Sequence, residues 1–440
     1  MNTPTTHCEL LMNFLLKHNC IKHPNELTKT TCNILKHLYT DLKHANTSLK
    51  AQKKQAGVHF YNVKLAKIHK PEDIPQPASF SNNSMDPHIK SHIDKHSYYK
   101  LTYTLHLLDD SRTNTIHFII EKSDVEEELD NEPNITMFNK YVDNIILWLS
   151  IINKYSSNKC VKDLSLFIYF TSLTKILPEN SLQILNQLNI NTAFTYNCPK
   201  ELPVSEIVIF RKEEWFKVLI HETLHTFGLD FGMMDNDKCH AKILSLFPLT
   251  VDVRLYESYV EFWGKMMNIL IFSFNISKGF KEFLKYCEFM LNYERAFCFL
   301  QMAKVLKYMN LTYSDLYTLD KDTLKDKYKE DTSVFAYYVV TVILLDDYSA
   351  FLEWCSTHNS LPNIIQFKQT EETQEAFCQY IESKYKNVDI LKNVSCAERF
   401  VDKLVKRVEK TQDKKHTIHY ILKNLRLSLC ELTTSNIRMS

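Results

Sequence analysis

The stretch from Glu213 to Gly228, EEWFKVLIHETLHTFG, contains the pattern His-Glu-x-x-His at His221, Glu222 and His225. It predicts one helix, in which residues four apart lie on the same face. His221 and His225 therefore project side by side and can share one metal ion. Glu222 lies about a quarter-turn away, close enough to take a proton from water at the metal without binding the metal itself.

The residues around this stretch predict a strand followed by a helix. Residues 207–210 form a short apolar run that is typical of a strand. Glu213 and Glu214 are expected in the first turn of the helix, where the helix dipole favours acidic side chains. Gly228 stands where a helix commonly ends in a left-handed cap. An amphipathic helix with two incidental histidines is the alternative, and the next helix along the chain argues against it.

A second helix, predicted to start near Val251, offers two carboxylates at Glu257 and Glu261. These residues are four apart, so their side chains share a face. The face is otherwise bounded by Leu255, Tyr256, Trp263 and Met267. Burying two carboxylates there costs free energy unless they have partners, and a metal ion and a metal-bound histidine are such partners. A solvated acidic stripe is the alternative, which the flanking aromatic residues disfavour.

The order His221-Glu222-x-x-His225 followed by Glu257-x-x-x-Glu261 resembles the gluzincins, the thermolysin-like zincin metallopeptidases. The resemblance implies that Zn²⁺ is bound by His221, His225 and Glu257. It also implies that Glu222 is the catalytic general base and that Glu261 holds a histidine ligand through its other ring nitrogen. It covers only the span that contains these two helices.

The chain departs from that family at two positions. Gluzincins usually have Asn before the ligand Glu and Asp four residues after it, where this chain has Tyr256 and Glu261. A fainter likeness connects the chain with uncharacterised His-Glu-x-x-His proteins of large nucleocytoplasmic DNA viruses. That likeness rests on residues 211–215 before the motif and residues 332–338 far after it.

The chemistry expected of such a site is hydrolysis. Two imidazoles and one carboxylate leave a fourth zinc position for water, whose pKa falls to about 7. Glu222 can take the proton as a general base and pass it to the leaving group. The reaction also needs a donor to the developing oxyanion, for which Tyr337 and Tyr338 are the preferred candidates. Weaker candidates are His240, Tyr256, Tyr259, Tyr293 and Arg295.

A metzincin assignment competes, because that class extends the motif to His-Glu-x-x-His-x-x-Gly-x-x-His or Asp. Gly228 fits this extension, but the third-ligand position is occupied by Phe231. Asp230 misses the position by one residue. We therefore rank this alternative below a site that contains Glu257.

The composition limits the kinds of partner that we expect for this protein. The 440 residues are 45% hydrophobic, which allows a large core and more than one domain. The net charge of +1 gives no argument for nucleic acid, and no apolar stretch approaches the length of about 18 residues that a membrane span needs. We expect a protein or peptide substrate, no nucleic-acid partner and no membrane partner, and the oligomeric state stays unknown.

The cysteines predict a reducing compartment. All 12 are scattered without a Cys-x-x-Cys pattern, and many lie in apolar surroundings. A secreted protein with six disulfides is the alternative, but no signal peptide is recognisable. We therefore expect reduced thiols in a protein that is cytoplasmic or packaged in a virion.

The order of elements predicts an α+β fold. The resemblance to the gluzincins implies that this fold is zincin-like, with a small mixed sheet beside the motif helix. Residues 1–68 are expected to form a helical N-terminal region. Residues 69–90 are expected to form a linker, because four prolines lie between positions 71 and 87. Residues 91–235 would form the α+β subdomain with the motif helix, and residues 236–440 a mainly helical subdomain that carries the third zinc ligand.

Apolar periodicity predicts the individual elements. Strands are expected at residues 99–107 and 115–120, which form a hairpin, and at 164–170, 191–196 and 425–429. Helices are expected at residues 8–18, 27–49, 137–155, 279–310, 334–345, 371–386 and 397–410. By the zincin resemblance, residues 191–196 would be an edge strand to which extended substrate adds.

Three functions fit these features. The first is a zinc-dependent metallopeptidase that hydrolyses peptide bonds with a metal-activated water. The second is a non-catalytic structural or virion scaffold protein that retains a zincin fold, although such a site has no need of the base Glu222. The third is a zinc hydrolase that acts on a non-peptide amide. We favour the first.

Overall fold

The structure, a computed structural model, describes residues 3–18, 24–81, 84–106, 112–122, 133–156, 159–180, 183–360, 363–411 and 416–433. The fold is α+β, as the sequence predicts, with a six-stranded mixed sheet and many helices. A small second sheet pairs Thr3–Pro4 (β1) with Leu432–Thr433 (β8) in antiparallel fashion.

The six-stranded sheet contains the strands that precede the motif helix. They are Asn62–Lys67 (β2), Ser97–His106 (β3), Thr113–Glu121 (β4), Asp163–Phe170 (β5), Ala193–Thr195 (β6) and Val204–Ile209 (β7). Their order across the sheet is β2-β3-β4-β5-β7-β6. β4, β5 and β7 are mutually parallel, and the remaining neighbours are antiparallel. The predicted hairpin of β3 with β4 and the predicted edge position of β6 are confirmed.

Helices account for most of the remaining structure. They are Thr6–Lys17 (α1), Lys29–Ala56 (α2), Pro87–His96 (α3), Ile135–Tyr155 (α4), Gln187–Ile190 (α5), Trp215–Thr226 (α6), Asp237–Leu246 (α7), Leu255–Ile276 (α8), Phe280–Tyr308 (α9), Asp315–Thr318 (α10), Lys321–Lys327 (α11), Thr341–Asp346 (α12), Tyr348–His358 (α13), Glu371–Lys384 (α14), Val388–Thr411 (α15) and His416–Lys423 (α16). Short 3₁₀ turns lie at Gly57–His59 and Pro71–Asp73, and a π-helical turn at Phe335–Val340 leads into α12.

The two faces of the sheet belong to different hydrophobic clusters. Phe118 and Ile209 lie in the main core, which also contains the apolar side chains of α4 and α6. Phe167 and Val208 lie in a smaller cluster with Ile89 of α3. The central strand β5 is apolar on both faces because both are covered.

The helices α6, α8 and α9 form the centre of the molecule. Most residues of α8 and α9 are buried, which is typical of helices that are apolar around most of their circumference. α6 packs along α8, and α8 packs along α9. The motif helix therefore lies between the sheet and the helical second half of the chain.

Two predictions about the ends of the site helices are wrong. The second site helix starts at Leu255 rather than near Val251, and the irregular residues before it include an ion pair of Arg254 with Asp252 at 2.8 Å. Glu213 and Glu214 precede α6 rather than form its first turn. Glu214 has a left-handed φ of 60°, which a helical residue does not adopt.

Three predicted elements in the second half of the chain also need correction. α15 begins at Val388, earlier than expected. Residues 334–345 contain a π-helical turn before α12 rather than one regular helix. Residues 425–429 are buried but form no strand. The Leu425 amide donates to the Lys175 carbonyl at 2.9 Å, while the amides further along bind side chains. Glu214 accepts a hydrogen bond from the Leu427 amide at 3.2 Å, and Glu294 accepts one from the Leu429 amide at 2.9 Å.

The expectation that all cysteines are reduced is wrong. Cys160, before β5, forms a disulfide with Cys198, between β6 and β7. The other cysteines in the described residues are free thiols. Gly228 ends α6 with a left-handed φ of 67°, as predicted, and a Cβ at this position would lie 2.8 Å from the Cys160 sulfur. The disulfide joins residues 38 positions apart, so local sequence patterns do not indicate it.

The predicted domain division stays a prediction. β2 precedes the proposed linker and lies beside β3, which follows it, in the same sheet. α2 packs against α4 and also against α8, α9 and α13 of the second half.

None of the described helices is by itself long and apolar enough to cross a membrane. Phe335–Asp346 and Tyr348–His358 reach that length and hydropathy only when taken together, and they are bent by 91° relative to each other.

Candidate metal centre

Two neighbouring helices bring the predicted site residues together. α6 carries His221, Glu222 and His225. α8 places Glu257 in its first turn and Glu261 one turn later. The two imidazoles and the Glu257 carboxylate form a group of donor atoms that could hold one metal ion.

The three donor atoms form a nearly equilateral triangle. The Nε2 atoms of His221 and His225 are 3.2 Å apart, and Oε2 of Glu257 lies 3.2 Å from the first and 3.3 Å from the second. A tetrahedral zinc ion with bonds of about 2.0–2.1 Å has ligand–ligand distances of about 3.3–3.4 Å. The residue types and the size of the triangle therefore fit zinc.

Each histidine also contacts a second carboxylate. Nδ1 of His221 donates to Oε2 of Glu261 at 3.1 Å, and Nδ1 of His225 donates to Oδ2 of Asp230. Such contacts keep the ring proton on Nδ1 and leave the lone pair of Nε2 for a metal. The role of Asp230 was not predicted. Its only sequence signal is an acidic residue just past the glycine that ends the motif helix.

Burial and neighbouring charges shift the pKa values of the site in opposite directions. Burial raises the pKa of Glu222 by more than the neighbouring imidazoles lower it. Burial alone would raise the pKa of Glu257 as well. The neighbouring His225 and His221 outweigh burial and hold the pKa of that carboxyl well below its usual range. Burial lowers the pKa of His221 and His225, but the surrounding carboxylates outweigh it and raise both. A metal must therefore displace protons when it binds.

Glu222 lines a cleft beside the donor atoms. The cleft is small, with a volume of about 30 Å³, and its walls include His221, Tyr337, Thr192 and Leu427. The Thr192 hydroxyl is buried and has no hydrogen-bond partner among the described residues. A carboxylate with a raised pKa beside such a cleft suits a group that takes up and releases a proton.

Of the two tyrosines preferred as oxyanion donors, the structure brings only Tyr337 to the site. Its hydroxyl donates to Oε2 of Glu257 at 2.9 Å. Burial and the neighbouring carboxylates raise the pKa of Tyr337, so the hydroxyl keeps its proton at neutral pH. Tyr338 donates instead to the Leu425 carbonyl at 2.6 Å, because successive residues of a helical turn point to different sides.

Three of the weaker candidates for the oxyanion donor make contacts other than that of Tyr337. The ring of Tyr256 lies 6.0 Å from that of His225, between centroids. Tyr259 donates to a backbone carbonyl at 2.7 Å, and Arg295 donates to a carboxylate at 2.7 Å. Phe231, at the third-ligand position of a metzincin, is fully buried among aromatic rings. The geometry therefore favours Glu257 as the third ligand over any residue next to the motif.

Comparisons with protein-family models, with curated proteins and with solved structures find no match to this chain. A functional assignment must therefore come from the chemistry of the site.

Proposed function

We propose that this protein is a zinc-dependent metallopeptidase with an active-site layout of the zincin kind. The proposal rests on one observation, the triangle of donor atoms from His221, His225 and Glu257 beside the buried carboxylate of Glu222. Structural zinc sites almost always have four protein ligands, whereas catalytic sites commonly have three. Three protein donors with a base beside them favour catalysis.

Zinc is the metal that this group suits. Two histidines and one glutamate are a known ligand set of catalytic zinc. When bound, zinc acts as a Lewis acid that polarises a carbonyl oxygen and makes water more acidic. His221, His225 and Glu257 would hold the ion, while Glu261 and Asp230 keep the imidazoles in the tautomer that binds metal.

Glu222 would act first as general base and then as general acid. Its carboxylate accepts a proton from the attacking water, whose oxygen adds to the carbonyl carbon of the peptide bond. The same proton goes to the amide nitrogen as the C–N bond breaks, so that Glu222 returns to its starting state. The raised pKa of Glu222 suits both steps. Tyr337, in the same cleft, is the candidate donor to the oxyanion.

The edge strand β6 supports a peptide as the substrate. Thr192 and Ala193, where β6 starts, line the cleft next to Glu222. β6 pairs with β7 on one side, and no strand of the described chain pairs with its other side. An extended peptide can add to such a free edge through main-chain hydrogen bonds.

The test compares the wild type with Glu222→Gln, using zinc analysis and a broad peptide library. We expect both proteins to hold one zinc ion per chain and the variant to lose at least about 10²-fold in cleavage rate, because the base is removed while the ligands stay. A wild type that binds zinc and cleaves no peptide contradicts the proposal and favours the scaffold alternative. A wild type that binds no zinc rejects the metal site itself.

A further inference from the structure

A cluster of six charged side chains lies buried beside the metal centre. This lysine–glutamate cluster consists of Lys175, Glu214, Lys217, Glu261, Lys265 and Glu294, which are 0% to 2% exposed. It contains three positive and three negative groups. Burying ion pairs is costly, and apolar residues of the same volume are often at least as stabilising. Stability alone therefore gives a weak reason for this cluster.

The cluster reaches the metal centre through one carboxylate, that of Glu261. Lys217 Nζ lies 2.9 Å from each oxygen of Glu261. Lys265 Nζ lies 3.1 Å from Oε1 of the same carboxylate. Its Oε2 atom accepts the Nδ1 proton of His221 at 3.1 Å. Two cations thus hold the group that orients a zinc ligand.

Helix geometry accounts for this arrangement. Lys217 precedes His221 by one turn of α6, and Lys265 follows Glu261 by one turn of α8. Residues four apart lie on one face, so both lysines lie along the seam between the two helices. The seam therefore places a cation on either side of the Glu261 carboxylate.

Lys265 also contacts residues 427–430, directly at Leu427 and through Glu294. Lys265 Nζ contacts the Leu427 carbonyl and lies 3.2 Å from Oε1 of Glu294. The Oε2 atom of Glu294 accepts hydrogen bonds from the amides of Leu429 and Cys430 at 2.9 and 3.2 Å. The position of Lys265 thus depends on residues far along the chain from the motif.

We propose that Lys217 and Lys265 are positioning residues of the metal centre. They fix the Glu261 carboxylate so that it accepts the Nδ1 proton of His221 and directs the Nε2 lone pair of that ring at the metal. The inference rests on the proposed zinc site but does not depend on peptide cleavage. Without the two cations, Glu261 would be a buried carboxylate near two others, Glu222 and Glu257, and would lose its orientation.

The experiment is a double-mutant cycle on zinc affinity, measured by competition with a chromophoric chelator. Lys217→Met and Glu261→Gln should each weaken zinc binding about 10–100-fold, which is typical for loss of a group that orients a ligand. If Lys217 acts through Glu261, the double variant should bind zinc no more weakly than Glu261→Gln alone. The proposal would be overturned if the losses of zinc affinity in the two single variants multiplied in the double variant. It would also be overturned if Lys217→Met bound zinc as tightly as the wild type or more tightly.

Lys304→Met is the matched control. Lys304 is also buried, but it binds the carbonyls of Ile421 and Asn424 at 2.5 Å, away from Glu261. Its loss should lower stability and leave zinc affinity within about threefold, since it orients no ligand. If Lys304→Met lost as much zinc affinity as Lys217→Met, the effect of Lys217 would be explained by a general loss of stability. That result would overturn the proposal.

Two further measurements keep the outcomes separate. If Lys217→Met does not fold, Lys265→Met takes its place in the same cycle with the same expectations. Cobalt substituted for zinc reports the ligand geometry, and its visible spectrum should change in the lysine variants as it does in Glu261→Gln. A wild type without zinc rejects the proposed function. Zinc binding that is insensitive to both lysines rejects this inference alone.

Discussion

The carboxylate of Asp230 accepts the Nδ1 proton of His225, five residues earlier in the chain. Asp230 lies in the turn that follows the motif helix, and it is 1% exposed. It therefore orients one histidine from within the motif region, while Glu261 orients the other from the neighbouring helix.

Replacement of Asp230 should weaken metal binding without removing a ligand. We expect Asp230→Asn to lower zinc affinity about 10–100-fold, because the amide is uncharged and holds the imidazole less firmly. The control is Asp235→Asn, an exposed position nearby that should leave zinc affinity unchanged. Chelator competition measures both. Equal affinities in the wild type and Asp230→Asn would show that the contact has no part in metal binding.

The adjacent tyrosines of the π-helical turn provide a matched pair. We expect Tyr337→Phe to lower kcat for peptide cleavage by about 10²-fold or more in zinc-saturated protein, the usual effect of losing an oxyanion donor. Tyr338→Phe should keep kcat, because its hydroxyl binds the Leu425 carbonyl instead. Steady-state kinetics on one cleaved peptide compares them. Similar kcat values for the two variants would remove Tyr337 from the catalytic assignment.

The end of the motif helix should tolerate no side chain. We expect Gly228→Ala to lower the free energy of unfolding by about 2–4 kcal/mol, since Ala at φ 67° is strained and its Cβ would meet the Cys160 sulfur. The control is Gly279→Ala, where the backbone is extended and no atom lies within 4 Å. It should cost less than about 1 kcal/mol. Urea unfolding measures both, and equal costs would contradict the close packing at the disulfide.

Glu330 should make stability depend on pH. Burial raises the pKa of Glu330 to about 8, whereas an unfolded chain has a value of about 4.3. Between these values the unfolded state releases a proton that the folded state retains, so stability is lost as pH rises through this window. Glu330→Gln cannot ionise and should gain stability relative to the wild type from about pH 5 to about pH 8.

Urea unfolding at both pH values tests this expectation. Gln keeps an oxygen that can accept from the Tyr328 hydroxyl and the Phe335 amide, so the two proteins differ mainly in charge. Glu371→Gln, at an exposed position, should show no comparable trend. A stability difference between wild type and Glu330→Gln that is the same at both pH values would contradict a carboxyl that keeps its proton in the folded protein.

Local patterns in the sequence predicted those elements whose form depends on nearby residues. The hairpin of β3 and β4, the helix α4 and the left-handed end of α6 at Gly228 are confirmed, because side-chain periodicity and cap residues determine them locally. Local periodicity did not predict that Glu257 faces the two histidines. That expectation came from the two patterns, His-Glu-x-x-His and Glu-x-x-x-Glu, on two successive predicted helices.

Contacts between distant residues were not predictable in this way. The alternation of Leu with polar residues at 425–429 indicated a strand, but buried carboxylates bind the amides of Leu427 and Leu429 in place of a partner strand. The Cys160–Cys198 disulfide and the lysines that hold Glu261 likewise depend on how whole elements pack. The irregular turn before α8 depends on packing as well, which explains the wrong start of that helix.

Zinc content tests the central claim most directly. The wild type and Glu257→Ala are equilibrated with zinc, dialysed and analysed for metal, with circular dichroism to establish that both are folded. We predict one zinc ion per chain in the wild type and a large loss in Glu257→Ala, since Glu257 supplies one corner of the donor triangle. A folded wild type without zinc, or a Glu257→Ala variant that retains it in full, would contradict the account.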